Sequence, residues 1–73
     1  MNAEAVKRLL KQTPFEPLEV HLSSGQVYLI KHPECGMVLK NTLVIGDPEN
    51  DYVNWCSLIH ITNIRRKGEV VLS

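Results

Sequence analysis

The stretch L-E-V-H-L-S-S-G-Q-V-Y-L-I, Leu18 to Ile30, decides how this chain is read. Leu18, Val20 and Leu22 alternate with Glu19, His21 and Ser23, the period-2 pattern of a strand with one buried face, and Ser24-Gly25 offers a hairpin turn before apolar residues resume. A two-residue turn pairs Leu22 with Val27 and Val20 with Leu29, leaving His21 opposite Tyr28 on the outward face with Ile30. A three-residue turn, Ser23 to Gly25, brings Tyr28 and Ile30 inward instead, and the pattern leaves both registers open.

Before the hairpin, Val6, Leu9 and Leu10 stand at i, i+3 and i+4 with Ala3 completing the stripe, which predicts a helix over about 3–12. Asn2 suits its N-cap, and Pro14 drives Thr13 out of helical geometry. Phe15, between Pro14 and Pro17, is expected to close the open side of a barrel as a bulky plug from the linker.

After the hairpin, K-H-P-E-C (Lys31 to Cys35) gathers a base, an imidazole, a carboxylate and a thiol around a proline. Proline cannot donate to a ladder, so His32, Pro33 and Glu34 read first as a structural corner, with Gly36 freeing the chain to re-enter the sheet and Glu34 accepting bonds from bared amides or from His32. Met37 to Leu39, a Lys40-Asn41 turn with Asn41 suited to a left-handed backbone, a buried strand Thr42 to Ile45, an acidic loop Asp47 to Asp51, a strand Tyr52 to Cys56, a turn Ser57 to Ile59 and a strand His60 to Arg65 follow. Glu69 to Leu72 is a sixth strand or a tail. The expectation is a mainly β, single small domain over 1–73: a helix, then a five- or six-stranded antiparallel SH3-like or Sm-like barrel over about 17–73.

Composition narrows the functions. Seventy-three residues build little core, since ordering the chain costs roughly 1.5 kcal/mol per residue. Two cysteines and a charged N-terminus imply reduced thiols and a cytoplasmic setting, and no apolar run approaches the roughly 18 to 20 residues of a membrane span. Net charge is zero, which argues against a dedicated nucleic-acid binder, but Lys7, Arg8 and Lys11 near one end and Arg65, Arg66 and Lys67 near the other would form a basic face if the ends meet.

The catalytic and metal signals are thin. His32, Glu34 and Cys35 would need His21, His60 or Cys56 to complete a metal site, and no paired-ligand spacing such as C-x2-C is present. H-x-E lacks the downstream P-C-x-x-C of zinc deaminases, and Ser57 with His60 lacks a glycine elbow. The reading is therefore of a protein that is not an enzyme and has no cofactor or metal. Tyr28, Tyr52 and Trp55 stand out as interaction residues, because large aromatics are favoured at contacts. An apolar C-terminal edge adds the expectation of a homo-oligomer.

Two resemblances follow. T-P-F-E-P-L-E-V-H-L-S-S-G-Q-V-Y-L-I-K-H-P-E (Thr13 to Glu34), T-L-V-I-G (Thr42 to Gly46) and S-L-I-H-I-T-N-I (Ser57 to Ile64) resemble the blocks of a family of short bacterial proteins of planctomycete type, which implies no activity. Val20 to Leu29 and Ile61 to Ile64 look like the hairpin and last strand of Sm-like proteins, although no Asp-aromatic-Asn base pocket follows the second strand. This looser likeness implies kinship of fold, and RNA binding only by analogy.

Overall fold

The computed structural model describes residues 1–67. The expected Glu69–Leu72 strand or tail lies outside the described residues.

The Asn2 side chain accepts a hydrogen bond from the Glu4 amide at 2.7 Å and starts α1 (Ala3–Leu10). The helix ends two residues sooner than expected because Lys11 already leaves helical geometry. Val6 is fully buried, and Ala3, Leu9 and Leu10 pack around it against the core. Such a short helix is unstable alone, so this packing holds it.

Six antiparallel strands follow: β1 (Leu18–Leu22), β2 (Val27–Ile30), β3 (Gly36–Val38), β4 (Thr42–Asp47), β5 (Tyr52–Ser57) and β6 (Ile61–Arg66). They form two three-stranded sheets, ordered β2-β1-β6 and β3-β4-β5. One 3₁₀ turn, Pro33–Cys35, separates β2 from β3, and another, Leu58–His60, separates β5 from β6. Among the described residues no ladder joins the sheets into a closed barrel. Pro33 lacks an amide for the ladder, so the strand that would run through both sheets is broken there.

The β1–β2 hairpin adopts the three-residue turn. Val20 pairs with Tyr28 and Leu18 with Ile30, while the Leu22 amide bonds the Gln26 carbonyl and the Gly25 amide bonds the Leu22 carbonyl, each at 2.9 Å. Gly25 has φ of 94°, a backbone that glycine adopts without strain and that closes a three-residue loop. The two-residue register is thereby overturned: Ile30 is fully buried, Tyr28 packs against the core, and Val27 faces solvent.

In β6, Ile61 lies opposite Leu22 and Asn63 opposite His21, so Thr62 has no partner and forms a bulge. Its hydroxyl donates to the His21 carbonyl at 3.1 Å. The extra residue lets Ile61 and Ile64, three apart, both pack inward. The buried core is Val6, Leu18, Val20, Ile30, Leu43, Ile45, Cys56, Leu58 and Ile61, drawn from the helix, both sheets and the second 3₁₀ turn. Phe15 packs half-buried on this core.

Two local expectations are corrected. Gly36 has ordinary extended geometry (φ −119°, ψ 138°), and its value lies in its missing side chain: a Cβ there would stand 2.9 Å from a Leu10 methyl. The Lys40-Asn41 turn joins β3 to β4, with the Leu39 amide bonding the Thr42 carbonyl at 2.8 Å, yet Asn41 is not left-handed. Among the described residues Asp51 is the non-glycine residue with positive φ, at 56°.

Gly25→Ala is expected to cost about 1–2 kcal/mol in urea unfolding, the usual penalty for a side chain in left-handed geometry. Gly36→Val is expected to cost about 1–3 kcal/mol by overpacking, and less in a Leu10→Ala background. Additive costs would show that Leu10 and Gly36 do not share this space.

Candidate interaction site

The K-H-P-E-C corner forms a single turn. His32 is extended, its carbonyl accepts from the Cys35 amide at 3.0 Å, and the Gly36 amide bonds the Pro33 carbonyl. His32, Pro33 and Glu34 are exposed. The Glu34 carboxylate accepts no bond from His32 or the turn amides, contrary to expectation. Lys31 ties the corner down instead, by an exposed ion pair with Glu49 in the acidic loop. That pair holds Lys31 above the ordinary lysine range, chiefly through the hydrogen bond itself. Exposed as it is, it adds little to stability.

The acidic loop organises itself around Asp47. One carboxylate oxygen accepts from the Glu49 and Asn50 amides, each at 3.2 Å, and the other from the Asn50 side chain at 2.9 Å. These bonds, led by the Asn50 side chain, hold the Asp47 carboxyl below the usual carboxylate range. Between this loop, the corner and β2 lies a cleft of ≈ 190 Å³, bordered by Tyr28, Lys31, Cys35, Asp47, Tyr52 and Asn54. Two of the three aromatic interaction candidates, Tyr28 and Tyr52, thus share one cleft. Trp55 lies elsewhere, beside a hollow formed with Leu22, Ser23, Ser24, Ser57 and His60.

The convergence a metal site requires is not formed among the described residues, where no three His, Cys, Asp or Glu side chains group suitably. His21 contacts Glu19 at 3.3 Å on its own strand, and His60 belongs to the second 3₁₀ turn. Cys35 and Cys56 are free thiols, and burial pushes the Cys56 thiol up. Ser57 and His60 border the same hollow without a mutual hydrogen bond.

The end of β6 meets the end of α1 beside Lys11, where the Arg66 guanidinium donates to the Gln12 side chain at 3.2 Å. Some of this charge is already offset, since Lys7 lies 3.7 Å from Glu4 and Arg66 lies 3.5 Å from Glu16. Arg65 donates to Asn63 on its own strand, and Arg8 and Lys67 are exposed.

The outward face of β3-β4-β5 joins the expected Trp55 to two residues the sequence reading missed, Met37 and Val44. Met37, Val44 and Trp55 are direct cross-strand neighbours, forming one row across the sheet. Met37 is 60% exposed and Trp55 72%, with Val53 and Leu39 also exposed nearby. The signal was available in M-V-L and L-V-I, where apolar residues occupy both parities of a short strand and so require either two covered faces or one bare one. Val44 belongs to this outer row, so Thr42 to Ile45 is not buried throughout: Leu43 and Ile45 alone are.

Among the described residues no helix is long and apolar enough to cross a membrane. No protein-family model, curated protein or solved structure matches the chain.

Asn50→Ala is expected to raise the Asp47 pKa toward the ordinary carboxylate value of about 3.9, read from side-chain NMR titration. In the parent chain the loop keeps its order below that value and loses it as pH falls through the lowered Asp47 pKa. An unchanged titration in the variant would remove Asn50 as the cause.

Proposed function

We propose that this chain is a non-enzymatic interaction module of SH3-like or Sm-like type that associates with itself. The observation that carries the reading is the outward apolar row Met37–Val44–Trp55, exposed at Met37 and Trp55 and flanked by exposed Val53 and Leu39. A chain this short gains stability only by burying apolar groups, and this concentration of them outside the core is characteristic of a contact surface. The kinship of fold is supported by the order of elements: a leading helix, a glycine hairpin, strands that bend at Pro33–Cys35, and a 3₁₀ turn feeding the last strand. A cytoplasmic setting is supported by the two free thiols.

RNA binding is the second reading, favoured by the Arg66–Gln12 contact, which brings the end of β6 to the end of α1. A titration with single-stranded RNA at low salt, where phosphate contacts are strongest, separates the two.

Light scattering from low to high micromolar concentration is expected to show a mass rising above that of one chain. A constant monomer mass throughout would overturn self-association, and salt-sensitive RNA binding by that monomer would put the second reading in its place.

A further inference from the structure

We propose that β5 is a docking edge for β5 of a second copy of this chain, the two strands running antiparallel about a two-fold axis at Trp55. The proposal rests on the self-association reading and assigns it a strand and a register.

The first observation is which backbone groups each edge leaves open. The Leu58 amide bonds the Asn41 carbonyl at 2.9 Å, and the regular register from there makes Cys56, Asn54 and Tyr52 the residues bonded to β4. Val53, Trp55 and Ser57 therefore turn their amides and carbonyls to the free side of β5. On β6 the Lys67 amide bonds the Pro17 carbonyl at 2.8 Å, so Arg65 and Asn63 are bonded to β1, and the free side belongs to Ile64 and Arg66. β6 of the same chain cannot take the β5 edge: Val53 and Trp55 are outward residues, Ile64 packs on the core, and residues paired across a ladder share a face.

The second observation is that β5 is the unprotected one among the described edge strands. β6 has the Thr62 bulge and ends in Arg65 and Arg66, features that keep an edge from pairing. β3 has three residues and lies against α1, where Leu10 fills the space beside Gly36. β2 has four residues, and the cleft along it is bordered by the acidic loop that Lys31 holds through Glu49. β5 runs six residues, Tyr-Val-Asn-Trp-Cys-Ser, without a charge, a proline or a bulge. A hollow of ≈ 400 Å³ beside Trp55 and Ser57 leaves its later half uncovered among the described residues.

The third observation is self-complementarity, which chooses the occupant. Val53, Trp55 and Ser57 are evenly spaced, so a two-fold axis at Trp55 sets Trp55 against its own copy and Val53 against the partner's Ser57. Every open group on β5 then finds a counterpart on both copies, the isologous arrangement of most dimers. A β6 edge satisfies fewer, because the register that meets Val53 with Arg66 and Trp55 with Ile64 puts the Thr62 bulge opposite Ser57. β6 against β6, in the register that satisfies Ile64 and Arg66, would set Arg65 opposite its own copy, which like-charge repulsion disfavours. The β5 pair brings no charged residues of the strand together, and it continues the row Met37–Val44–Trp55 from one three-stranded sheet into the other.

Hydrogen exchange in the full-length protein reads the edge directly. The Val53, Trp55 and Ser57 amides are expected to exchange freely in dilute solution and at least about tenfold more slowly at high micromolar concentration, in step with the mass from sedimentation velocity, while the Ile64 amide does not change. Val53→Pro removes an outward amide without touching the β4 ladder, so it should weaken association at least about tenfold while the chain keeps its circular dichroism. In a Cys35→Ser background, oxidised Trp55→Cys should give a covalent dimer, since hydrogen-bonded strand partners stand within disulfide reach, and Ile64→Cys should not. A dimer whose edge amides do not slow, or whose Trp55→Cys form does not crosslink, would overturn β5 as the edge and leave self-association standing. Crosslinking of Trp55→Cys to Ile64→Cys, and not to itself, would overturn β5 as the partner strand in favour of β6. A monomer at every concentration with freely exchanging edge amides would overturn both readings. A monomer with protected edge amides would overturn the second copy as occupant and give the edge to the chain's own segment 68–73.

Discussion

The left-handed backbone of Gly25 sets the register on which the rest of the structure depends. A turn of three residues, rather than two, sends Tyr28 and Ile30 to the same side as Leu18 and Val20. β1 is the middle strand of its sheet, so its inward face must serve both β2 and β6. With the opposite parity Ile30, now fully buried, would lie in solvent, a loss of roughly 1.5–3 kcal/mol for that side chain alone. The bulge at Thr62 completes the arrangement by letting Ile61 and Ile64 meet the same face. Register in the first sheet is thus held by one glycine on one side and one extra residue on the other.

The second sheet depends on how the chain leaves the first. The Pro33–Cys35 turn breaks the ladder, and Gly36 immediately lets the helix come down on β3, because Leu10 occupies the space a side chain would take. Helix, corner and second sheet are therefore coupled through a single close approach. The acidic loop closes against the same corner through Lys31 and Glu49, while Asp47 supplies the loop's internal bonds. Residues that looked like chemistry in the sequence, His32 and Glu34, stand exposed at this junction, and the ionic contact is made by the lysine next to them.

A small core has a consequence for the surface. Leu43, Ile45 and Cys56 face inward from β4 and β5, which leaves Val44, Val53 and Trp55 outward by the alternation of a strand. A helix covers part of one end of the structure, but the outer face of the second sheet has no layer above it among the described residues. Self-association along β5 would cover the Trp55 end of that face, in keeping with the general tendency of domains to bury each apolar face against another element.

What the sequence determined by itself was whatever is written in local pattern. Asn2 and the Val6, Leu9, Leu10 stripe specified the helix, and Pro33 specified the break after β2. Gly46-Asp47-Pro48 marked the end of β4, and alternation marked β1 and β5. Each of these depends on neighbours within a few residues, through capping, ring geometry or the pleat. Tertiary structure alone decided the hairpin register, the bulge at Thr62, the role of Gly36 and the pairing of Lys31 with Glu49. It also decided which parity of β4 and β5 faces the core, and hence that Met37, Val44 and Trp55 share a row. These features depend on groups far apart in the chain competing for one interior, and a period-2 pattern shifted by one residue reads equally well until that competition is resolved.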